Sequence, residues 1–492
     1  MSQQRNTPSL PEPGSGPGPG SGPSGRRPGR RHSGGSGRDR SAGPGRSRLA
    51  GIRRRFLSGV RSRLFAALVS LLVVGGCAAA VVALTGGGPR SRTPDEGIGS
   101  GTSTSTSAGA SGSTSASASA TTGAPGSAES ADGSGARSPA DPARTLRFGV
   151  SYGDALTWMP EAKLTQAMAD AKELGVQWLR VDLSWRNIQP DSPTQYLWER
   201  FDRVVAAARA DGLEVLPTIA YTPEWAGDPS CAATSQACPP ADNAKFAEFA
   251  RLAAQRYAPL GVHTWEIWNE PNIRGFWRTG TGPDPARYTA LLTATSQAIR
   301  SVDQDAYLVM GGFAAVDTVP SRKSVAPAEF LGRLARDGAL KEVDAIGYHP
   351  YTYPLLPSTT TAEGTAFQRI DSPKNSLVAT LRRYGAPDMP VWLTETGAPT
   401  WAKGKAASAQ EDQGTTHVTE RLQAEIAADT VTAAAAEPSV QAVFWYSYQD
   451  GAAEGQDDRQ SLFYGLTRYD GTHKPSFTAY KKAIAAYEKQ RQ

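Results

Sequence analysis

The sequence predicts a closed α/β barrel of eight parallel strands in residues 144–492. Short runs rich in β-branched and aromatic residues alternate there with amphipathic helical stretches, and the unit occurs eight times in about 345 residues. Gly175 and Gly212 each follow a helical run and precede a strand, as glycines at helix ends do. The alternative is an open doubly wound sheet. An eighth unit, and the lack of a glycine-rich phosphate turn after the first strand, favour closure.

The strand-like runs share a length of seven to eleven residues and bulky apolar content. They are 146–152, 176–185, 213–221, 263–270, 306–313, 343–351, 390–397 and 440–450. The clearest helical patterns between them repeat apolar residues at a helical period. They are 161–175, 200–212, 243–257 and 417–436, and 476–489 follows the last strand.

Residues 1–63 consist largely of Gly, Pro, Ser and Arg, which cannot bury a core, so we expect a disordered tail. The tail holds fourteen Arg and no Lys against Glu12 and Asp39, a charge of +12. The whole chain carries +5, so the remainder carries −7 and the pI of 9.0 reflects the tail. The arginines are scattered and Phe56 is the single Phe, Trp or Tyr among them, so we expect no nucleic-acid partner.

Residues 64–84 form an uncharged apolar stretch that predicts a transmembrane helix. These 21 residues would rise about 31 Å, close to the roughly 30 Å of a bilayer core. The Arg-rich side predicts a cytoplasmic N-terminus and an extracellular C-terminal domain in the cell membrane. Two alternatives use the same region: a lipoprotein cleavage box ending at Cys77, and a twin-arginine export signal at 53–57.

Residues 85–143 are rich in Ser, Thr, Gly and Ala and predict a flexible linker between the membrane and the barrel. The chain has three cysteines, and Cys231 and Cys238 enclose six residues. In an exported domain so close a pair indicates a disulfide that closes one loop.

Two glutamates fall at strand ends, where barrels of this kind place their chemistry. Glu270 ends the fourth run before Pro271, and Glu395 ends the seventh before Gly397, so the two can face each other across the barrel mouth. Glu266 lies four residues before Glu270, about 13 Å lower by strand rise. We interpret Glu266 as structural, with Arg180 of the second strand as its best partner.

Two carboxylates across a sugar-sized cleft indicate glycoside hydrolysis, in which one donates a proton and the other attacks the anomeric carbon. All eleven tryptophans fall in the barrel domain, and flat aromatic walls suit the apolar faces of sugar rings. Several lie at or just beyond strand ends, which predicts substrate-binding walls. These are Trp185, Trp225, Trp277, Trp401 and Trp445.

The motif WEIWNEPN (265–272) on strand four, together with WLTETG (392–397) on strand seven, resembles the retaining glycoside hydrolases of clan A, family 39-type and family 5-type enzymes above all. The resemblance covers the whole barrel. It implies that Glu270 is the acid/base and Glu395 the nucleophile. Family 5 enzymes usually carry a His at the end of strand three, and TIAYTPEWA (218–226) has none, which counts against that family.

The resemblance implies further substrate-binding residues. Asn269 would hydrogen-bond the sugar 2-hydroxyl, and Arg180 would keep the nucleophile ionised. His349 and Tyr351 in GYHPY would contact the nucleophile or the sugar, and Trp445 would form the floor of the subsite before the scissile bond.

The sequence thus predicts a membrane-anchored, monomeric retaining O-glycosidase that acts on extracellular or envelope polysaccharide. It contains neither HExxH nor a P-loop, and its five histidines are scattered, so we expect no metal and no cofactor. Three alternatives stay open: a transglycosylase that remodels an envelope polysaccharide, an inactive sugar-binding barrel, and an unrelated metal-dependent barrel hydrolase.

Overall fold

The computed structural model describes residues 145–231, 235–408 and 416–491. Eight parallel strands follow one another in chain order, and the last pairs with the first, so the predicted closed barrel is confirmed. The strands are β1 (Arg147–Gly153), β2 (Trp178–Ser184), β3 (Glu214–Ala220), β4 (Thr264–Ile267), β5 (Tyr307–Ala314), β6 (Ala345–His349), β7 (Val391–Thr396) and β8 (Val440–Tyr446).

One main helix follows each strand and packs on the outside of the barrel. The helices are α1 (Glu161–Leu174), α2 (Glu199–Ala210), α3 (Asn243–Tyr257), α4 (Pro285–Arg300), α5 (Pro327–Arg336), α6 (Leu377–Arg383), α7 (Glu420–Ala436) and α8 (Pro475–Lys489). Capping side chains fix the N-termini of several helices. At α3 Asp242 accepts from the Ala244 amide, and at α4 Asp284 accepts from the Arg287 amide beside Pro285. Gly175 ends α1 at φ +80°, a left-handed conformation that favours glycine.

The barrel interior is divided into an apolar layer and a polar layer. The apolar layer is a separate cluster that comprises Leu216, Val309, Ala345, Trp392, Ala442 and Phe444. The polar layer lies nearer the carboxyl ends of the strands and contains Arg180, Glu266 and Thr394, all buried. A charged layer this deep requires mutual hydrogen bonds, since an unpaired buried charge costs several kcal/mol.

Two of the register shifts in the barrel lie beside the polar layer. The pairing of β7 with β8 shifts between Leu393 and Thr396, so that both Thr394 and Glu395 bond groups inside the barrel. The pairing of β5 with β6 shifts between Met310 and Phe313. Such irregularities re-aim side chains that a regular strand would point outward.

The predicted tail (1–63), transmembrane helix (64–84) and linker (85–143) lie outside the described residues. Among the residues that the structure does describe, no helix combines the length and the apolar character needed to cross a bilayer. The N-terminal organisation therefore stays a prediction.

Candidate active site

Arg180 is the centre of the buried polar layer. Its Nε donates to Glu266 Oε2, Nη1 donates to Glu395 Oε1 (2.7 Å) and to Ser151 Oγ (3.1 Å), and Nη2 donates to Asn269 Oδ1 (2.8 Å). Burial alone would lower the pKa of Arg180, but the charges of Glu266 and Glu395 raise it well above its usual value. Arg180 is therefore a permanent cation between the carboxylates of Glu266 and Glu395.

Glu266 is held on every side. Besides Arg180 it accepts hydrogen bonds from Thr218 Oγ1 (2.9 Å), Thr394 Oγ1 (3.0 Å) and the Gly312 amide (2.9 Å). This carboxylate, with no exposed surface, supports Arg180 and Thr394. The structure thus gives Glu266 the cationic partner that the sequence suggests for it.

Glu395 accepts a second strong hydrogen bond. The Tyr351 hydroxyl donates to Glu395 Oε2 at 2.9 Å. Burial, together with the nearby charge of Glu395, raises the pKa of Tyr351 well above its ordinary value. Tyr351 therefore stays protonated and acts as a donor. One carboxylate oxygen of Glu395 is thus bonded to a cation and the other to a phenol.

Glu270 lies beyond the end of β4, in a turn with unusual backbone angles. The strand ends at Ile267, and both Trp268 (φ +70°) and Glu270 (φ +44°) adopt a left-handed conformation that is rare outside glycine. The Glu270 amide donates to the Gly312 carbonyl at 2.9 Å, which ties the turn to β5. The extended-strand separation of 13 Å predicted between Glu266 and Glu270 therefore does not apply. Strained backbone of this kind clusters at functional sites.

His349 connects the two halves of the site. Its Nδ1 lies 2.9 Å from Glu270 Oε1 and 3.8 Å from Glu395 Oε2, and its Nε2 lies 3.1 Å from Thr394 Oγ1. The ring fits here because β5 carries Gly312: a Cβ at that position would lie 2.0 Å from His349 Nε2.

Glu270, His349 and Glu395 each offer one ligand atom, and these atoms all lie within 4.8 Å of one another. Such a set could hold a cation. The same groups already form hydrogen bonds, however, and Arg180 supplies a positive charge at Glu395. We therefore interpret the set as two carboxylates held by hydrogen bonds from neighbouring side chains, rather than as a metal centre.

Asn269 presents an amide group to this centre. Its Oδ1 accepts from Arg180, while its buried Nδ2 has no hydrogen-bond partner among the described residues. An unsatisfied buried donor is costly unless a ligand accepts from it.

The structure does not bring three of the five tryptophans predicted to bind substrate to the mouth. Trp185, Trp277 and Trp445 have no exposed surface. Trp185 packs between Phe246 and Phe249 of α3, with ring centroids 5.7 Å away in each case.

Trp277 and Trp445 are likewise parts of the layer between barrel and helices. Trp277 packs on Trp268 and on Tyr288 of α4. Trp445 faces Tyr480 of α8, because alternate residues of β8 point outward while Ala442 and Phe444 point inward.

Of the remaining two tryptophans, Trp225 donates to the Gln189 carbonyl and Trp401 packs on Phe463; both are half-buried.

Tyr446, rather than Trp445, is the β8 aromatic near the carboxylates. Burial, followed by the charges of Glu395 and Asp182, raises its pKa far above the usual value. Tyr221 replaces the expected histidine after β3, with φ +67°. Sequence reasoning also missed Thr394 and Asp182; the two-residue spacing of Arg180 and Asp182 on one strand was the available signal for the latter.

Two other features lie apart from this centre. Cys231 and Cys238 are joined by a disulfide, with Cα atoms 6.0 Å apart. A surface concavity of about 610 Å³ lies between α5 and α6 and is lined by groups such as Arg333 and Arg383. No residue of the carboxylate network lines this concavity, so it is separate from the candidate active site.

Comparisons with known proteins identify the family of the chain. The sequence model of "Cellulase (glycosyl hydrolase family 5)" matches residues 140–451, more than half of the chain. The chain belongs to glycosyl hydrolase family 5. The missing strand-three histidine, which counted against that family, is compatible with membership. The predicted clan A glycosidase is thereby confirmed, and the protein is a glycosidase.

Solved structures share the fold of this family 5 chain at low identity. A family 39 glycoside hydrolase of Bacteroides cellulosilyticus WH2 is 21% identical, with TM-score 0.53 over 70% of this chain and 64% of that one. The exo-β-1,4-mannosidase Op5Man5 from Opitutaceae bacterium strain TAV5 is 19% identical, with TM-score 0.50 over 71% and 60%.

A curated relative, "Beta-glucosidase-like SFR2, chloroplastic" of Oryza sativa subsp. japonica, is 28% identical over 124 residues. That match spans 23% of this chain and 18% of the relative, far less than two thirds of the relative's length.

Proposed function

We propose that this family 5 glycosidase is a retaining O-glycoside hydrolase, with Glu395 as nucleophile and Glu270 as acid/base. The observation that carries the proposal is the close approach of the two groups: one oxygen of Glu270 lies within 4.8 Å of one oxygen of Glu395. Inverting enzymes hold their carboxyl groups about 6.5 to 9.5 Å apart to admit a water, whereas retaining enzymes hold them about 5 to 5.5 Å apart. The spacing favours direct attack by a carboxylate.

The hydrogen bonds at Glu395 suit a nucleophile. Contact with the Arg180 guanidinium favours the ionised carboxylate, which must attack the anomeric carbon. Tyr351 holds the other oxygen at 2.9 Å and so fixes the direction of attack. A covalent glycosyl-enzyme forms, and water then resolves it with net retention.

The contacts of His349 indicate where the acid proton lies. Glu266 is an ionised acceptor, so the Thr394 hydroxyl donates to it. Thr394 Oγ1 can then accept from His349 Nε2–H, which in a neutral imidazole leaves Nδ1 as an acceptor. With a neutral imidazole, the hydrogen bond between Nδ1 and Glu270 Oε1 then has its proton on Glu270. A protonated Glu270 is the acid that the leaving oxygen needs.

Two more residues complete the subsite for the reacting sugar. Asn269 Nδ2 would donate to the 2-hydroxyl, the kind of contact that strengthens in the transition state. Tyr446, which takes the inward position on β8 in place of Trp445, would lie under the ring.

We further propose that the enzyme is anchored in the cell membrane by residues 64–84, with an extracellular barrel. The apolar stretch, the Arg-rich flank and the Ser/Thr-rich linker support this topology. The substrate would then be an extracellular or envelope oligo- or polysaccharide, cleaved by a monomer. Transfer to a sugar acceptor instead of water would make the same site a transglycosylase.

The proposal can be tested by assaying the full-length chain, in mild detergent, on a panel of aryl glycosides and polysaccharides. Glu270→Ala should lower turnover by about 10²- to 10⁴-fold, the usual contribution of a general acid. Glu395→Ala should abolish most turnover, and azide should restore glycosyl transfer by replacing the missing carboxylate. Glu173→Ala is the matched control, because that glutamate forms only a half-exposed ion pair with Lys481.

The stereochemistry of the first product is an independent check. NMR of the reaction should show the same anomeric configuration in substrate and first product. An inverted anomer, or near-native turnover in either glutamate variant, contradicts the assignment. For the topology, protease added to intact cells should release an active barrel and leave the Arg-rich tail protected.

A further inference from the structure

Asp182 is a buried carboxylate that the catalytic network leaves unused. It lies on β2 two residues after Arg180, so both side chains share the inward face, and strand rise places Asp182 about 7 Å nearer the mouth. Only 5% of the residue is exposed. A Cβ built on Gly153 would lie 3.8 Å from Asp182 Oδ2, so the carboxylate lies beside the end of β1.

Asp182 differs from the buried carboxylates of Glu266 and Glu395 in lacking donors. Among the described residues, no N–H or O–H group hydrogen-bonds either of its oxygens, whereas Glu266 accepts four such bonds. Arg180, two residues earlier on the same strand, directs its donors to Ser151, Glu266, Asn269 and Glu395. A carboxylate buried in this way is costly until a ligand supplies donors.

The surroundings of Asp182 connect it to the reacting centre. Burial raises its pKa to about 6, and Asp154 and Glu395 also raise it. Burial raises the pKa of Tyr221 and of Tyr446, which follow or end strands β3 and β8, and the charge of Asp182 raises the pKa of each further. Asp182 is therefore near enough to Glu395 and to these two tyrosines for their charges to interact.

We propose that Asp182 binds the sugar ring that is being transferred, accepting hydrogen bonds from hydroxyl groups remote from the reacting carbon. The inference rests on the proposed glycosidase mechanism and names a specificity-determining residue for it. A carboxylate can accept from two neighbouring hydroxyls at once. A site built to bond a hydroxyl strongly rejects an analogue that lacks it, because the buried acceptor is then left unpaired.

The test uses the full-length chain in mild detergent. 4-Nitrophenyl β-glycosides of glucose, mannose, galactose and xylose first identify the sugar cleaved fastest. The 3-, 4- and 6-deoxy forms of that glycoside, where the sugar has the hydroxyl, are then compared on wild type and on Asp182→Asn.

Asp182→Asn should lower kcat/KM on the parent glycoside by about ten- to a hundredfold, the size expected for hydrogen bonds to a charged group. Wild type should lose a similar factor on at least one deoxy glycoside. When Asp182→Asn is assayed on that deoxy glycoside, the combined loss in kcat/KM should be smaller than the product of the two separate losses, because both changes remove the same interaction. Asp388→Asn, an exposed carboxylate before β7 with the same chemical change, should match wild type throughout.

Near-native kcat/KM in a folded Asp182→Asn, or fully multiplicative losses, would overturn the proposal. Thermal unfolding shows whether the variant is folded. Should it not fold, the wild-type series decides: if none of the tested deoxy positions costs tenfold, Asp182 does not bind the ring. Failure of the underlying mechanism looks different, since wild type would then cleave no glycoside or Glu395→Ala would stay active.

Discussion

Thr394→Val tests the proton arrangement at Glu270 without touching either proposed catalytic carboxylate. The hydroxyl donates to Glu266 Oε1 at 3.0 Å and lies 3.1 Å from His349 Nε2. Valine keeps the shape but removes both hydrogen bonds. His349 then loses the acceptor that holds its proton on Nε2, so the other tautomer, with Nδ1–H donating to Glu270, gains population and favours an ionised Glu270.

The magnitude follows from one neutral hydrogen bond, worth about 0.5 to 1.5 kcal/mol. Since 1.36 kcal/mol corresponds to one pH unit, the basic limb of kcat/KM should move down by up to about one unit. The sign is fixed because the reaction needs protonated Glu270, and the substitution favours its loss of the proton. The assay is the pH profile of kcat/KM for a glycoside with a poor leaving group.

The same profile on a 2,4-dinitrophenyl glycoside should show little shift, because a leaving group that good needs no acid in the first step. Thr394→Ser retains the hydroxyl and serves as the matched control. An unchanged basic limb in Thr394→Val, or a shift to higher pH, would refute the inferred proton on Glu270.

Three further outcomes are expected. Gly312→Ala should lower turnover more than about a hundredfold, since the new Cβ would lie 2.0 Å from His349 Nε2 and would displace the ring. The control Gly332→Ala in α5 should match wild-type turnover, because a Cβ there would lie 3.7 Å from the nearest side-chain atom. Tyr351→Phe should reduce kcat/KM by about tenfold or more, measured on any cleaved aryl glycoside, because Glu395 loses a hydrogen bond to a charged group. Lys474→Met should lower the free energy of unfolding by about 3 to 5 kcal/mol in urea titrations, because it leaves Asp450 buried without its cation, while Lys481→Met should cost below about 1 kcal/mol.

The barrel was predictable because two periodicities alternate eight times in the sequence, and every described strand falls largely within its predicted run. The local geometry at the strand ends could not be predicted from the sequence. The left-handed turn at Trp268 and Glu270 and the register shift before Thr396 depend on neighbouring strands. No pattern within β4 or β7 alone reveals them.

The tryptophans show a different limit. In a parallel barrel both faces of a strand are buried, so an apolar run such as VQAVFWY does not reveal which residues point inward. Trp445 was predicted to reach the sugar, yet the structure turns it to Tyr480 and gives the inward position to Tyr446. A large aromatic at a strand end is therefore weaker evidence of a binding wall here than a carboxylate, because burial satisfies an indole and leaves a carboxylate in need of partners.

That asymmetry also explains why a barrel should keep Glu266, a carboxylate with no exposed surface and no proposed part in bond breaking. An apolar residue there would leave Arg180 with one carboxylate partner and Thr394 free to turn its hydroxyl either way. With Glu266 present, Arg180 is held between two charges and can orient Glu395 and Asn269 together, while Thr394 has a fixed direction of donation toward Glu266 and of acceptance from His349. One buried charge thus sets the proposed states of both reacting carboxylates: ionised at Glu395 through the cation, and protonated at Glu270 through the hydroxyl and the imidazole.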